Sequence, residues 1–323
     1  MSKKIVVLGT GGTIAGTSPS ANDNVGYRAA QLEVGGLLQS VPGLAQCLGG
    51  HGVVTEQLAD VDSKDMGWTQ WRALAQRALH YLGQPDISAV LVTHGTDTLE
   101  ESAYFLSRVL PASVLAHKPL VLTCAMRPAS SMSADGPQNM RDAVRVACTR
   151  GAHGVLAVCA ATVHAARDVQ KVHPYRLDAF DSGDAGPLAY VEEGAVRWVH
   201  PCPAVGAQDV QWMDCVRESV WPRVEIVFSH AGADGALVRT LCATSPDAEP
   251  VRGLVIAATG NGTVHHALEV ALLQAQLQGI RVVRSTRCAY GQIVPGDGAV
   301  NPFPAVGLSP VKARIALMLD LMR

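Results

Sequence analysis

A hydroxyl and a carboxylate stand side by side at Thr96 and Asp97, after a short apolar run and before a helical pattern. A threonine hydroxyl can act as a nucleophile or as a hydrogen-bond donor, and a carboxylate beside it can bind a cation. In open α/β sheets, ligands bind at the carboxyl ends of the strands, which is where this pair would lie. Two residues that only cap a helix would give the same pattern, so the pair alone leaves both interpretations open.

A second hydroxyl, Thr13, ends the glycine-rich segment GTGGT. Glycines allow the backbone to approach a substrate and leave N–H groups available for an oxyanion. A threonine nucleophile needs a base or a hydrogen-bond partner, and Tyr27, Lys171 and Asp97 are the candidates that the chain offers. The alternative is a turn threonine that only satisfies backbone groups.

Lys171 closes the segment TVHAARDVQK. A lysine held near Thr96 and Asp97 and shielded from water can act as a base. A solvated lysine at a helix end, where its charge complements the helix dipole, is the other interpretation.

The elements around these residues follow from hydrophobic periodicity. Residues 90–92 predict a buried strand, and apolar residues at 99, 103, 106 and 110 predict an amphipathic helix. Thr98 and Glu101 have the spacing of a capping box at the start of that helix. Residues 4–8 predict the first strand, directly before the GTGGT turn. The polar segment 17–26 predicts a loop of the kind that often forms a lid beside a site.

Strand and helix patterns alternate along the chain, which is typical of an α/β fold with a mainly parallel sheet. We predict a larger N-terminal α/β domain over residues 1–200, a proline-flanked linker over 201–222, and a smaller C-terminal α/β domain over 223–323. The remaining predicted strands are 53–58, 119–125, 154–159, 224–228, 254–258 and 281–284, and the remaining predicted helices are 69–82, 265–278 and 311–322.

Composition excludes several classes of protein. The chain has 323 residues, of which 48% are hydrophobic and 17% charged, with a net charge of −2. This balance argues against a nucleic-acid groove or a polybasic membrane surface, and aromatic residues at 5% are too sparse for base stacking. No apolar run reaches the roughly 18 residues of a membrane span, and the N-terminus predicts a strand and not a signal peptide. The eight cysteines form no CxxC pair, which suits a reducing cytoplasm and offers no zinc motif.

The glycine-rich turn does not fit a nucleotide site. A dinucleotide fingerprint would need glycine where Ile14 stands. A phosphate-binding loop would need lysine where Thr17 stands. Both interpretations fail, and the hydroxyl of Thr13 is what remains.

Two long stretches, VVLGTGGTIAGT and VLVTHGTDTLEESAYF, resemble the two signature motifs of bacterial-type L-asparaginases and glutaminase-asparaginases. The segments DSKDM, AMRPASSMSADGPQN, HAARDVQK and GLVIAATGNG extend the resemblance over nearly the whole chain. It implies a larger N-terminal and a smaller C-terminal α/β domain. It also implies a homotetramer of two intimate dimers, in which each active site takes residues from the C-terminal domain of a partner subunit.

The resemblance also implies roles for particular residues. The catalytic group matches the nucleophile Thr13, the lid tyrosine Tyr27, and the second threonine Thr96 with Asp97 and Lys171. The substrate-binding positions match Ser63 for the α-carboxylate, Asp97 for the α-ammonium, and Asn261 from the neighbouring subunit. Lys64 stands where the family often has glutamine. No metal or organic cofactor is implied.

The expected activity is therefore the hydrolysis of L-asparagine to L-aspartate and ammonia through a threonyl acyl-enzyme. A glutaminase-asparaginase of broad specificity is the first alternative, and a non-catalytic amino-acid-binding module is the second. Enzymes that accept glutamine readily carry a glutamate from the partner subunit after the RSTR strand. Here that region has no glutamate, and its single acid is Asp297. This favours asparagine over glutamine.

Overall fold

The computed structural model describes residues 3–206, 216, 220–243, 249–296 and 301–323. The chain divides into two compact units, Met1–Asp214 and Cys215–Arg323, each with its own sheet and core. Much of the predicted linker over residues 201–222 lies outside the described residues, as does Asp297.

One large sheet organises the first unit. Its strands are β1 (Lys4–Gly11), β2 (Gly52–Val61), β3 (Ile87–Thr93), β4 (Pro119–Thr123), β5 (Gly154–Cys159), β6 (Thr162–Ala165), β9 (Ala189–Glu192) and β10 (Ala195–Trp198), with β7 (Gln170–Lys171) and β8 (Phe180–Asp181) forming a separate pair. Among the described residues the sheet has the order β10-β9-β6-β5-β4-β3-β1-β2. Strands β2, β1, β3, β4 and β5 are parallel, whereas β6, β9 and β10 are antiparallel.

The apolar runs of the parallel strands are buried on both faces. Ile5 and Leu91 join one core cluster with Met140 of the covering helix. Their neighbours Val6 and Val90 point to the opposite face because side chains alternate along a strand, and they are equally inaccessible to solvent. A sheet covered on both faces explains why these strands are continuous hydrophobic runs.

The helices of the first unit are α1 (Val34–Gln39), α2 (Leu44–Leu48), α3 (Trp68–Leu82), α4 (Leu99–Val109), α5 (Ala112–Leu115) and α6 (Gly136–Cys148). Trp71 of α3 stacks on Phe105 of α4 with 4.8 Å between ring centroids, and its indole N–H donates to the hydroxyl of Ser102 at 2.8 Å. These contacts fix α4 laterally. Among the described residues, no helix is long and apolar enough to cross a membrane.

The second unit is a smaller parallel α/β layer. Its strands are β11 (Arg223–Phe228), β12 (Val251–Ala258) and β13 (Arg281–Thr286), in that order, and its described helices are α7 (Ala236–Cys242), α8 (His266–Leu277) and α9 (Pro310–Asp320). The predicted fold class is confirmed.

Two local predictions were wrong. The strand predicted over residues 119–125 ends at Thr123. Lys171 lies on β7, which excludes the alternative of a lysine at a helix end. The capping box does not form, although Thr98 occupies the N-cap position of α4. Its hydroxyl donates to the carbonyl of Ser63 at 2.7 Å, so a contact with a distant segment replaces the local cap.

Candidate active site

The glycine-rich turn places Thr13 at the carboxyl end of β1. Gly12 has φ 80°, a left-handed conformation that favours glycine, and Thr13 then begins a short 3-10 helix, Thr13–Ala15. A Cβ on Gly12 would lie 2.5 Å from the Cα of Gly95. The turn of the first motif is therefore in backbone contact with the second motif.

Thr13 is paired with Tyr27. The two hydroxyl oxygens lie 2.6 Å apart, and either can donate. Burial raises the pKa of Tyr27, the hydrogen bond to Thr13 opposes that rise, and the charges of Asp62 and Asp97 add to it. Tyr27 is therefore a neutral phenol over the physiological pH range.

The predicted lid loop carries Tyr27 at its end. Backbone hydrogen bonds of 2.9 Å join Thr17 and Arg28 in both directions and close the loop. Its far side contacts another loop, since Ser131 donates to the side chain of Asn24 at 2.6 Å and the Met132 N–H donates to Ala21 at 3.0 Å. The sequence of this loop predicts no regular structure, and these contacts fix its conformation.

Thr96, Asp97 and Lys171 form a second group. The ammonium of Lys171 donates to the hydroxyl oxygen of Thr96 at 2.9 Å and to Oδ1 of Asp97 at 2.6 Å. The Lys171 side chain is 16% exposed and that of Asp97 is 52% exposed. Because Thr96 accepts from Lys171, the proton of its own hydroxyl remains available for a third group.

Ser63 joins this second group, whereas Lys64 forms an ion pair with its chain neighbour Asp65. Ser63 is buried, and its hydroxyl oxygen accepts from the N–H of Asp97 at 3.2 Å. The hydroxyl proton of Ser63 is thereby left for another acceptor, such as a carboxylate. Lys64 is exposed, with its ammonium hydrogen-bonded to Asp65, which raises the pKa of Lys64.

The two groups occupy one place in the first unit. Gly12 and Gly95, the immediate neighbours of Thr13 and Thr96, are in backbone contact, and the charge of Asp97 acts on Tyr27. The place therefore holds two hydroxyls with separate partners, a shielded ammonium and a half-exposed carboxylate. This set can attack a carbonyl, stabilise the resulting oxyanion and bind a cationic amine.

Asn261 belongs to the second unit. It lies in a turn closed by Thr259 and Thr263, and its side-chain amide makes two hydrogen bonds to the backbone of Val294, at 2.7 and 3.0 Å. These bonds fix the amide within its own unit.

Three further residues interact with the predicted site residues, two through hydrogen bonds and one through its charge. The carboxylate of Glu100 accepts from the backbone N–H of Lys171 at 3.1 Å, Thr98 donates to Ser63, and Asp62 acts electrostatically on Tyr27. Thr98 and Glu100 stand one and three positions after Asp97 in the second motif, and this placement is the only signal for them in the sequence. Their partners are distant in the chain, so the pattern alone predicts a cap.

Comparisons with known proteins identify the family of the chain. The family described as "Asparaginase, N-terminal" matches residues 4–203, and "Glutaminase/Asparaginase C-terminal domain" matches residues 223–323. L-asparaginase 2 of Escherichia coli K12 is 35% identical over 98% of this chain and 88% of its own length. The glutaminase-asparaginase of Pseudomonas fluorescens biotype A is 32% identical over 99% of this chain and 86% of its own.

A solved structure gives the same result. The crystal structure of the probable cytoplasmic L-asparaginase from Campylobacter jejuni superposes with a TM-score of 0.86 at 32% identity, covering 100% of this chain and 96% of that one. Sequence and structural matches thus extend over both units. The chain belongs to the asparaginase family of amidohydrolases.

Proposed function

We propose that the protein is an L-asparaginase that hydrolyses the side-chain amide of L-asparagine to L-aspartate and ammonia. One observation carries this proposal. The ammonium of Lys171 donates hydrogen bonds to both Thr96 and Asp97. This group lies beside the hydrogen-bonded pair of Thr13 and Tyr27. Two hydroxyls with separate partners suit the two tasks of amide hydrolysis, attack and oxyanion stabilisation.

In the proposed acylation step, Oγ1 of Thr13 bonds to the amide carbon. Its proton passes along the 2.6 Å hydrogen bond to Tyr27, whose own proton moves on to the leaving nitrogen. Tyr27 stays neutral throughout, in accord with the raised pKa of its phenol. The hydroxyl of Thr96 and backbone N–H groups donate to the oxyanion, ammonia leaves, and water then cleaves the ester to release aspartate and Thr13.

The substrate is proposed to be held through its α-amino acid group. The Asp97 carboxylate takes the α-ammonium, since half of that side chain is exposed, and the free proton of Ser63 takes the α-carboxylate. Lys64 lies next to Ser63 and is proposed as a second contact for the α-carboxylate. Asn261 is proposed to complete the site of a neighbouring subunit, as it does in the family that the chain resembles.

The test is ammonia release from L-asparagine by the purified protein. We expect Thr13→Ala to lower kcat by at least about a thousandfold because the nucleophile is lost. Thr240→Ala, which removes an exposed hydroxyl on α7, is the matched control and should leave kcat unchanged. Wild-type activity retained in Thr13→Ala would refute the threonine mechanism.

A glutaminase-asparaginase of broad specificity is the second candidate, and the relative of that name in Pseudomonas fluorescens favours it. The ratio of kcat/KM for asparagine to that for glutamine decides between the two, and a ratio near one would establish the broader enzyme. Calorimetry that detects aspartate binding by a protein without turnover on either amide would instead support the non-catalytic binding module.

A homotetramer of intimate dimers is proposed for the assembly. It is supported by an apolar stripe on α8, where Val270, Leu273 and Leu277 follow helical spacing and are 47%, 39% and 87% exposed. Sedimentation velocity of the wild type and of Leu273→Glu tests it, and a smaller assembly is expected for the variant.

A cytoplasmic location is also proposed, from the cysteine pattern and from the structure of the probable cytoplasmic L-asparaginase of Campylobacter jejuni. Cell fractionation tests it.

A further inference from the structure

The first turn of α4 contacts two distant segments that carry site residues. The hydroxyl of Thr98 donates to the carbonyl of Ser63, 35 residues earlier, at 2.7 Å. The carboxylate of Glu100 accepts from the backbone N–H of Lys171, 71 residues later, at 3.1 Å. Neither residue belongs to the catalytic or substrate-binding set, but Thr98 fixes the backbone of the substrate-binding Ser63 and Glu100 fixes that of the catalytic Lys171.

The side chain of Thr98 makes this distant contact and does not cap its own helix. An N-cap threonine ordinarily accepts from an N–H in the first turn of its own helix, and no such side-chain hydrogen bond forms here. Together with the N–H of Asp97, which donates to the hydroxyl of Ser63, Thr98 holds Ser63 at both its carbonyl and its side chain. The direction of the remaining Ser63 proton is thereby set.

Glu100 holds the backbone of Lys171 where the strand pairing of Lys171 is weak. Within the part of the chain that the structure describes, the two-residue strand β7 pairs only with the equally short β8, a ladder too small to hold its backbone firmly. The Glu100 carboxylate adds a charge-assisted bond to the Lys171 N–H. This bond anchors the backbone of Lys171 to the first turn of α4, which directly follows the segment of Thr96 and Asp97. The ammonium of Lys171 binds both of those residues.

We infer that Thr98 and Glu100 are positioning residues, which act on the reaction through Ser63 and Lys171 respectively. Thr98 serves substrate binding, because Ser63 is the proposed ligand of the α-carboxylate. Glu100 serves the chemical step, because Lys171 orients Thr96. These two assignments rest on the proposed asparaginase function.

Two conservative changes separate reach from charge at Glu100. Glu100→Gln keeps an acceptor oxygen at the same distance and loses the charge, whereas Glu100→Asp keeps the charge and loses the reach. We expect kcat for asparagine to fall about tenfold or more in Glu100→Asp, with KM within about twofold, and to stay within about threefold of wild type in Glu100→Gln. The reverse order would overturn the positioning role, and so would an unchanged kcat in Glu100→Asp.

Glu269→Gln is the matched control, since it removes another acid from the first turn of a helix, α8, in the second unit. It should leave both kinetic constants at wild-type values. A loss equal to that of Glu100→Asp would show that the effect is a general one of helix charge and would overturn the assignment.

At Thr98 the expected change is in KM. Thr98→Val is nearly isosteric but cannot donate, so KM for asparagine should rise about tenfold with little change in kcat, and Thr98→Ser should restore it. An unchanged KM in Thr98→Val, or a fall in kcat alone, would overturn the assignment to Ser63.

Two readouts do not depend on turnover and so separate this inference from the proposed function. Calorimetric affinity for aspartate should fall about tenfold in Thr98→Val and recover in Thr98→Ser. A crystal structure of Glu100→Asp should show the Lys171 ammonium out of hydrogen-bond range of Thr96, and one of Glu100→Gln should show it in place. An inactive wild type would refute the asparaginase proposal alone, whereas an unmoved Lys171 or an unchanged aspartate affinity would refute this one.

Discussion

Gly95 lies against Ser63 so closely that a Cβ on Gly95 would come within 2.4 Å of the Ser63 hydroxyl oxygen and 2.7 Å of its Cβ. Gly12 in turn lies against Gly95, where its own Cβ would meet backbone at 2.5 Å. Two glycines of separate motifs thus allow Thr13, Thr96 and Ser63 to share one site. Side chains at either position would push the segments apart.

We therefore predict that Gly95→Ala displaces Ser63 and raises KM for asparagine at least about tenfold, with a loss of unfolding free energy of about 1–3 kcal/mol. Gly35→Ala is the control, because Gly35 lies in α1 with no atom within 4 Å of a built Cβ. It should raise the unfolding free energy by about 0.5–1 kcal/mol. Steady-state kinetics and urea unfolding measure both, and an unaffected KM in Gly95→Ala would contradict the close packing.

Tyr27→Phe tests the partner of Thr13. Removing the hydroxyl that lies 2.6 Å from Thr13 should lower kcat by about 10- to 1000-fold. Burial raises the pKa of Tyr27, so the phenol stays neutral to beyond pH 9 or so. The loss should therefore be a constant factor across about pH 6–9. A loss that varies with pH over this range would show that Tyr27 titrates there.

The hairpin between β5 and β6 carries backbone strain. Its two-residue loop, Ala160 and Ala161, has φ of 48° and 59°, which favours glycine or asparagine. The Ala160 N–H donates to the Asn139 side chain at 3.0 Å and holds this conformation. Ala161→Gly should raise the unfolding free energy by about 1 kcal/mol, since it removes the left-handed penalty. Ala157→Gly, in the extended core of β5, should lower it, and urea unfolding of both variants checks the contrast.

His94 makes folding stability depend on pH. It is fully buried, its Nδ1 lies 2.8 Å from the Gly95 carbonyl, and burial lowers its pKa to about 4. The unfolded state, with a pKa of about 6.5, takes up a proton first as the pH falls. The contribution of His94 is therefore fully present above about pH 6.5 and is lost between about pH 6.5 and 4, by on the order of 3 kcal/mol.

Asp142 opposes this dependence. Burial raises the pKa of its carboxyl from 3.8 to about 6, against a hydrogen bond from Gln138 and the charge of Arg141. Because the folded pKa lies above the unfolded one, the contribution of Asp142 is fully present below pH 3.8 and is lost as the pH rises through about 6.

The two groups can be separated by substitution. In His94→Gln, the unfolding free energy should decrease as the pH rises from about 4 to 6, relative to wild type. In Asp142→Asn it should increase over the same interval. Urea unfolding at several pH values between 4 and 7 measures both slopes, and equal slopes in the two variants would contradict the opposed shifts.

Much of the fold was readable from the sequence because its signals are local. The apolar runs at residues 4–8, 90–92 and 154–159 are strands of the sheet, and the stripe beginning at Leu99 is α4. The two long motifs also sufficed to indicate the family. Boundaries were less readable, since the end of β4 at Thr123 depends on where its partner strands end.

The sequence by itself determined which residues could do chemistry, Thr13, Thr96, Asp97 and Lys171, and it placed the three that are not lysine at strand ends. Only the tertiary structure decided how they pair. Tyr27 is hydrogen-bonded to Thr13, and Lys171 binds Thr96 and Asp97, which lie more than 70 residues earlier in the chain. Thr98 donates to Ser63 and does not cap its own helix. Such pairings depend on how the sheet and its loops pack in three dimensions. A hydroxyl that satisfies a distant backbone group has the same sequence pattern as one that caps its own helix.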